Sequence, residues 1–357
     1  MSPLTVAFVN FTRKWGGVRT WTLDVGRALQ ARGHRIVAVV RPGTPFEGSC
    51  RSAGFATHSL EPGAKFNPVA VLRVARVLRR ERVDVAVANI SKDLDVGAVA
   101  AKLLRVPVIH RVGLVEDYDR TFGERWRHRL LVDAILVPGV WMRGALLEAL
   151  PWLSAEEVHA IPNSKALGPV LQPRGRAAGE APVLGAASQL SPSKGHTHLF
   201  QALEALRREG VLFRLRVAGT GPLEEELRGE VGRRGLGDAV EFAGFQTDVP
   251  AFLSTLDAFV LPSLKEGFPN SLLEAMAAGL PVAAFDLPGV REMADGAGLL
   301  AAAGDAGDLA RALRTLLTDQ TLRVDLGRAA RRRAEERYDL AKNVALVERL
   351  LGEVAGR

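Results

Sequence analysis

Cysteine is nearly absent from this chain: Cys50 is the only one in 357 residues. An internal disulfide is therefore excluded, and so is a metal cluster built on cysteine ligands. No stretch approaches the roughly 18 apolar residues that a membrane-spanning helix needs. The opening Met-Ser-Pro-Leu-Thr-Val-Ala-Phe-Val-Asn lacks the charged and apolar regions of a signal peptide, so a cytoplasmic protein is the expectation. Also missing is a G-x-G-x-x-G turn after the first apolar run, and Arg41 rather than an acidic residue closes the second. A dinucleotide-dependent dehydrogenase is disfavoured on both counts. The basic residues are not interleaved with aromatics as in an RNA-binding module. No nucleic-acid partner is expected, although the formal net charge is +7. That charge sits mostly on scattered arginines and suits a peripheral contact with anionic lipid better.

What is present reads as a soluble globular protein, with 47% hydrophobic and 24% charged residues. The length allows two ordinary domains, each with its own core. Apolar runs alternate with helical periodicity in both halves, starting with a strand over 4–10, a helix over 18–32 and a strand over 35–41. The 36 glycines fit many tight strand–helix turns. Residues 167–182 are rich in Gly, Pro, Ala and Arg without periodicity and read as a linker. The expectation is an α/β fold of two doubly wound, Rossmann-like domains, the first over 1–166 and the second over 183–337.

The stretch from Ser263 to Val282, Ser-Leu-Lys-Glu-Gly-Phe-Pro-Asn-Ser-Leu-Leu-Glu-Ala-Met-Ala-Ala-Gly-Leu-Pro-Val, is where the chemistry is expected. The run Asp257–Pro262 before it reads as a buried parallel strand. A turn with Gly267 and Pro269 follows, then a short helix from about Asn270 to Ala278, stopped by Gly279 and Pro281. A strand end feeding a helix N-terminus is where an open parallel sheet places its ligand. Backbone N–H groups there, with the helix dipole, favour a phosphate. Glu266 and Glu274 bring two carboxylates to that junction, and these suit neutral sugar hydroxyls.

From Pro262 to Val282 the chain fills every fixed position of P-S-x-x-E-G-F-x-x-x-x-x-E-A-M-A-x-G-x-P-V. This resembles the Glu-x7-Glu signature of the retaining family 4 glycosyltransferases, enzymes of GT-B architecture that act in bacterial glycan and lipopolysaccharide synthesis. The resemblance implies an interdomain cleft and a C-terminal helix, here within 338–357, that crosses back onto the first domain. It also implies that Glu266 contacts the transferred sugar and Glu274 the nucleotide ribose. Gly16 and Gly17 match the family's Gly-Gly turn beside the donor diphosphate. His110, expected at the end of a strand over 106–110 and facing the cleft, matches a position that contacts the donor sugar. Residues 158–163 match the segment that closes the first domain.

Ser188-Gln-Leu-Ser-Pro-Ser-Lys-Gly195 is similar to the family's G-R-L-x-x-x-K-G. Lys194 fills the lysine position and is expected on the diphosphate. Gln189 stands where an arginine is usual, so a charged hydrogen bond is replaced by a neutral one of roughly half the strength. Arg19 and Arg291 are the candidates to compensate. Backbone amides over 267–271, at Gly267, Phe268, Asn270 and Ser271, complete the anion site, and Phe245 and Gln246 are candidates to line the base. The triplets Asp93-Leu-Asp95 and Asp117-Tyr-Asp119 could hold a divalent metal but lie in the other half, so no metal or other cofactor is expected. A basic amphipathic helix over 121–131, with Arg125, Trp126, Arg127, His128 and Arg129, is a candidate membrane contact.

The function so implied is transfer of a sugar from a nucleoside diphosphate donor to a hydroxyl of a glycan, lipid-linked or small-molecule acceptor, with retention. The alternatives are a nucleotide-sugar epimerase of the same architecture, which would turn over donor without acceptor, and a nucleotide-sugar binding protein without activity.

Overall fold

The computed structural model describes residues 2–13, 16–118, 121–170 and 180–356, with the side chains of residues 91 and 122 also outside the description. Trp15, Asp119 and most of the expected linker therefore lie outside the described residues. The chain divides into two compact units, residues 1–166 with 340–357, and residues 167–339.

The first unit holds strands β1 (Thr5–Asn10), β2 (Arg35–Val40), β3 (Ala56–Ser59), β4 (Val85–Ala88), β5 (Val108–Arg111), β6 (Ala134–Val137) and β7 (Val158–Ala160). All pair in parallel, in the order β3-β2-β1-β4-β5-β6-β7. The central strands are continuous apolar runs because helices cover both sheet faces, so alternation has no solvent side to report. β3 was not expected. Its Ala-Thr-His-Ser is half-buried at the sheet edge and carries little apolar signal. β5 runs one residue past His110 and ends at Arg111.

The helix Leu340–Ala355 belongs to this unit. It buries Val344, Val347, Leu350, Leu351 and Val354, one stripe at helical spacing, in a core shared with Val6, Phe8 and Trp21. Each such side chain contributes about 1.5–3 kcal/mol as an upper estimate. Polar contacts set its register. Leu340 N–H donates to the Lys165 carbonyl at 3.0 Å, Asn343 Nδ2 donates to Ser164 Oγ at 2.6 Å, and Glu348 meets Arg32 at 2.6 Å and His34 at 3.0 Å.

The second unit holds β8 (Val183–Ala187), β9 (Arg214–Ala218), β10 (Val240–Gly244), β11 (Ala258–Leu261), β12 (Val282–Phe285) and β13 (Leu299–Ala301). Its parallel order is β10-β9-β8-β11-β12-β13. The direction of winding reverses between β8 and β11, and the corresponding reversal in the first unit lies between β1 and β4. Such reversals open the crevice at the C-terminal edge of a sheet where ligands bind. Leu167 packs on the second unit's core and Arg331 Nη1 donates to the Gly168 carbonyl at 2.9 Å. The start of the expected linker is thus held on that unit. No helix of the described residues is long and apolar enough to cross a membrane.

Candidate active site

The reversal between β8 and β11 brings together the two loops that carry Lys194 and Glu266. After β8 the chain runs on alongside the end of β9: Ser188 N–H donates to the Ala218 carbonyl at 3.1 Å and Leu190 N–H to the Thr220 carbonyl at 3.0 Å. A single 3-10 turn, Pro192–Lys194, then ends at Gly195 with φ 64°. That left-handed conformation favours glycine, and a Cβ at Gly195 would be driven into the Pro262 carbonyl oxygen. Only a bare backbone lets the β8 loop lie this close to the end of β11. Leu264 N–H donates across to the Ser193 carbonyl at 2.9 Å, which locks the loops in register. Lys194 Nζ then reaches Glu266 Oε1 at 2.6 Å. Both side chains are partly sheltered, at 22% and 12% exposure.

Around this pair the loop after β11 turns into the helix Asn270–Ala277. Gly267 and Phe268 are buried, and Phe268 is held edge-on by Tyr338 at 5.6 Å. Asn270 and Ser271 open the helix half-buried, and Glu274 follows one turn later, also half-buried. Gln189 is exposed on the β8 loop. Phe245, 60% exposed, and Gln246, whose Nε2 folds back to the Ala243 carbonyl at 2.5 Å, stand just past β10. β10 is the sheet edge, two strands from β8 and so roughly 10 Å away.

Sequence reasoning passed over three polar groups here. His196, the first residue of the helix after Gly195, is buried with Nε2 3.2 Å from Ser188 Oγ and Nδ1 unpartnered. Burial and, next, the Lys194 charge hold it down at about 4, so it is neutral at pH 7. Ser263 Oγ, on the loop after β11, is likewise buried without a partner. The clue was His196 standing directly after Lys194-Gly195, but a lone histidine carries little signal by itself.

In the first unit, Asp93 organises the reversal between β1 and β4. Its carboxylate accepts from the N–H groups of Phe11 at 2.8 Å, Ile90 at 2.9 Å and Asn89 at 3.1 Å. Burial raises it to about 7 despite those donors. Asp95 is buried and pairs with Arg127 at 3.0 Å, and Asp117 accepts from Gly113 and Leu114 N–H. These carboxylates thus tie down loops and a helix. Gly16 caps the helix Gly17–Ala31 in an extended conformation that any residue adopts, and a Cβ there meets nothing.

His110, at the C-terminal end of β5, is fully buried. Its Nδ1 lies 2.7 Å from the Tyr118 hydroxyl and its Nε2 has no partner. Burial, then the charges of His128 and Arg127, depress it to about 3. The helix expected over 121–131 spans Phe122–Leu131, but Arg127 and His128 turn inward, to Asp95 and Tyr118. Its outer face carries Trp126, Arg129 and Leu130. The two expected substitutes for the arginine missing at position 189 each have partners within their own unit. Arg19 is buried, donates to the Thr12 carbonyl and lies over Phe46, while Arg291 is held by both oxygens of Asp286 at 2.8 and 2.5 Å.

Residues 15–164 match a family model described as Glycosyltransferase Family 4, and residues 171–333 match Glycosyl transferases group 1. The chain is 34% identical over 183 residues to a 2-deoxystreptamine glucosyltransferase of Streptomyces kanamyceticus, covering 48% of this chain and 46% of that one. It is 28% identical over 322 residues to a lipopolysaccharide core biosynthesis glycosyltransferase, LpsE, of Rhizobium meliloti, covering 88% and 89%. The chain spans about half the length of the first curated relatives it matches. Among solved structures, HepE of Anabaena in complex with UDP and glucose superposes with a TM-score of 0.84 at 21% identity, over 98% of this chain and 99% of that one. At that identity the likeness speaks for a shared GT-B fold.

Proposed function

Because this chain belongs to the family 4 glycosyltransferases, we propose that it moves a sugar from a nucleoside diphosphate donor to a hydroxyl of a glycan or lipid-linked acceptor, with retention and without a metal. The observation that carries this reading is the Lys194–Glu266 pair, 2.6 Å apart at the second unit's winding reversal. A cation and a carboxylate in contact suit a ligand that carries an anion and hydroxyls side by side. Lys194 and the backbone N–H groups of 267–271 would receive the diphosphate, Glu266 the sugar, Glu274 the ribose, and Phe245 with Gln246 the base. Gly16, Gly17 and His110 are the first unit's candidates, by family resemblance.

In the reaction the bond between the anomeric carbon and the diphosphate oxygen breaks while the acceptor oxygen forms the new bond on the same face. The acceptor proton passes to the departing diphosphate oxygen, so the charges balance without a protein nucleophile. Lys194 and the amide dipoles would stabilise the negative charge as it grows, which is the largest help a rigid site can give. The likeness to a UDP complex makes uridine diphosphate sugars the first donors to try. For the partner surface, Trp126 and Leu130 flanked by Arg129 support a peripheral contact with anionic lipid at the cytoplasmic face.

The test is a screen of nucleotide sugars for slow hydrolysis or transfer by the purified protein, with and without EDTA. Turnover of one donor that survives EDTA supports the proposal. Release of an epimerised donor without acceptor would support the epimerase instead.

A further inference from the structure

Tyr118 links two buried histidines of the first unit. Its hydroxyl lies 2.7 Å from His110 Nδ1 and 3.1 Å from His128 Nδ1, and Trp152 packs against both Tyr118 and His128. His110, His128 and Tyr118 are all 5% exposed or less. Burial drives the phenol far above its usual range, so it keeps its proton. Burial likewise lowers both imidazoles.

Three neutral groups thus share one line. A phenol has a single proton, so it donates to one Nδ1 and must accept from the other. The two imidazoles therefore carry opposite tautomers. What faces the far end sets the direction. Glu157 Oε1 stands 3.8 Å from His128 Nε2, and its Oε2 accepts from Ser154 N–H at 2.8 Å. A carboxylate favours a proton on the ring nitrogen that faces it. With that proton on His128 Nε2, the His128 Nδ1 accepts from Tyr118, and the Tyr118 oxygen accepts from His110 Nδ1–H. His110 Nε2 is left with its lone pair, at the position where the structure gives it no partner.

We propose that Tyr118, His128 and Glu157 are positioning residues that hold His110 in the Nδ1–H tautomer, so that Nε2 presents a hydrogen-bond acceptor. The ligand it would take is a free sugar hydroxyl, which donates to a bare ring nitrogen where an ether or carbonyl oxygen cannot. That assignment of a ligand rests on the function proposed above; the tautomer stands on the first unit alone. Other groups act on the line as well. Arg127 and Arg129 oppose protonation of His110 and His128 respectively, and Glu124 and Asp117 act on Tyr118 in the same sense as burial. The Asn89 carbonyl, set against the His110 ring, favours a proton there, but its dipole is a weaker pull than the full carboxylate charge of Glu157 at the other end of the line.

The test is long-range proton–nitrogen NMR of the ligand-free protein labelled at histidine, with signals assigned through single His→Gln variants. Expected is a His110 protonated at Nδ1 and bare at Nε2, and a His128 of the opposite tautomer. Tyr118→Phe should release His110 toward the Nε2–H form, and Glu157→Gln, at a side chain 40% exposed, should leave both rings as mixtures. A wild-type His110 carrying its proton on Nε2 would overturn the proposal, as would tautomers unmoved by both variants. No donor is present in this experiment, so its failure leaves the transferase reading standing and the failure of that reading leaves this result intact.

Discussion

Lys194 and Glu266 are 72 residues apart in the chain and 2.6 Å apart in space, each on the loop after one of two adjacent strands. The contact exists because the sheet reverses its winding between β8 and β11 and because Gly195 lets the loops touch. On the function proposed above, a donor diphosphate would share Lys194 with Glu266, so the pair would clamp a molecule that carries an anion beside hydroxyls.

Lys194→Ala should lower transfer by about 10- to 150-fold, since a charged hydrogen bond contributes about 1.5–3 kcal/mol. Steady-state kinetics with the donor found in the screen check this. Unchanged donor affinity and turnover would remove Lys194 from the site.

Gln189→Arg should strengthen donor binding. Gln189 is exposed on the same loop as Lys194, so a longer cationic side chain has room, and a charged donor is roughly twice as strong as a neutral one. A fall in donor KM or Kd is expected; a rise would mean that the loop does not face the phosphates.

Gly195→Ala should cost both stability and activity. Its φ of 64° disfavours a side chain, and the added Cβ meets the Pro262 carbonyl. A loss of about 1–3 kcal/mol is expected, read from denaturant midpoints, with turnover falling more than tenfold as Lys194 and Glu266 move apart. Wild-type values in both assays would contradict the packing described here.

His196 makes stability depend on pH in a defined sense. Its folded value, about 4, lies below the ordinary 6.5. The unfolded chain therefore takes up a proton first as pH falls, and stability is lost from about pH 6.5 down to 4 and then levels off. Asp93, raised from the ordinary 3.8 to about 7, works the other way across that whole range. The stability advantage of wild type over His196→Gln should consequently shrink between pH 7 and 4; a constant difference would place the imidazole elsewhere.

Much of this was legible in the sequence, for physical reasons that differ by element. The run from Pro262 to Val282 combines a buried strand, a turn and a short capped helix, so its pattern is dense. Lys194 and Glu266 were read from separate motifs, and the fold puts them in contact. β3 and β12 escaped notice: β3 because an edge strand of Ala-Thr-His-Ser has no apolar run, β12 because Val282–Phe285 follows directly on the motif. The inward turn of Arg127 and His128 was also hidden, because a charged helix face reads as solvated until its partners, Asp95 and Tyr118, are known. Burial of His110 is a tertiary fact, and no local pattern carries it.

The most direct measurement is a crystal structure with a bound nucleoside diphosphate, UDP first. The account predicts the diphosphate within hydrogen-bond distance of Lys194 Nζ and the backbone at 267–271, with the ribose hydroxyls on Glu274. Density for the nucleotide away from the β8 and β11 loops would contradict it.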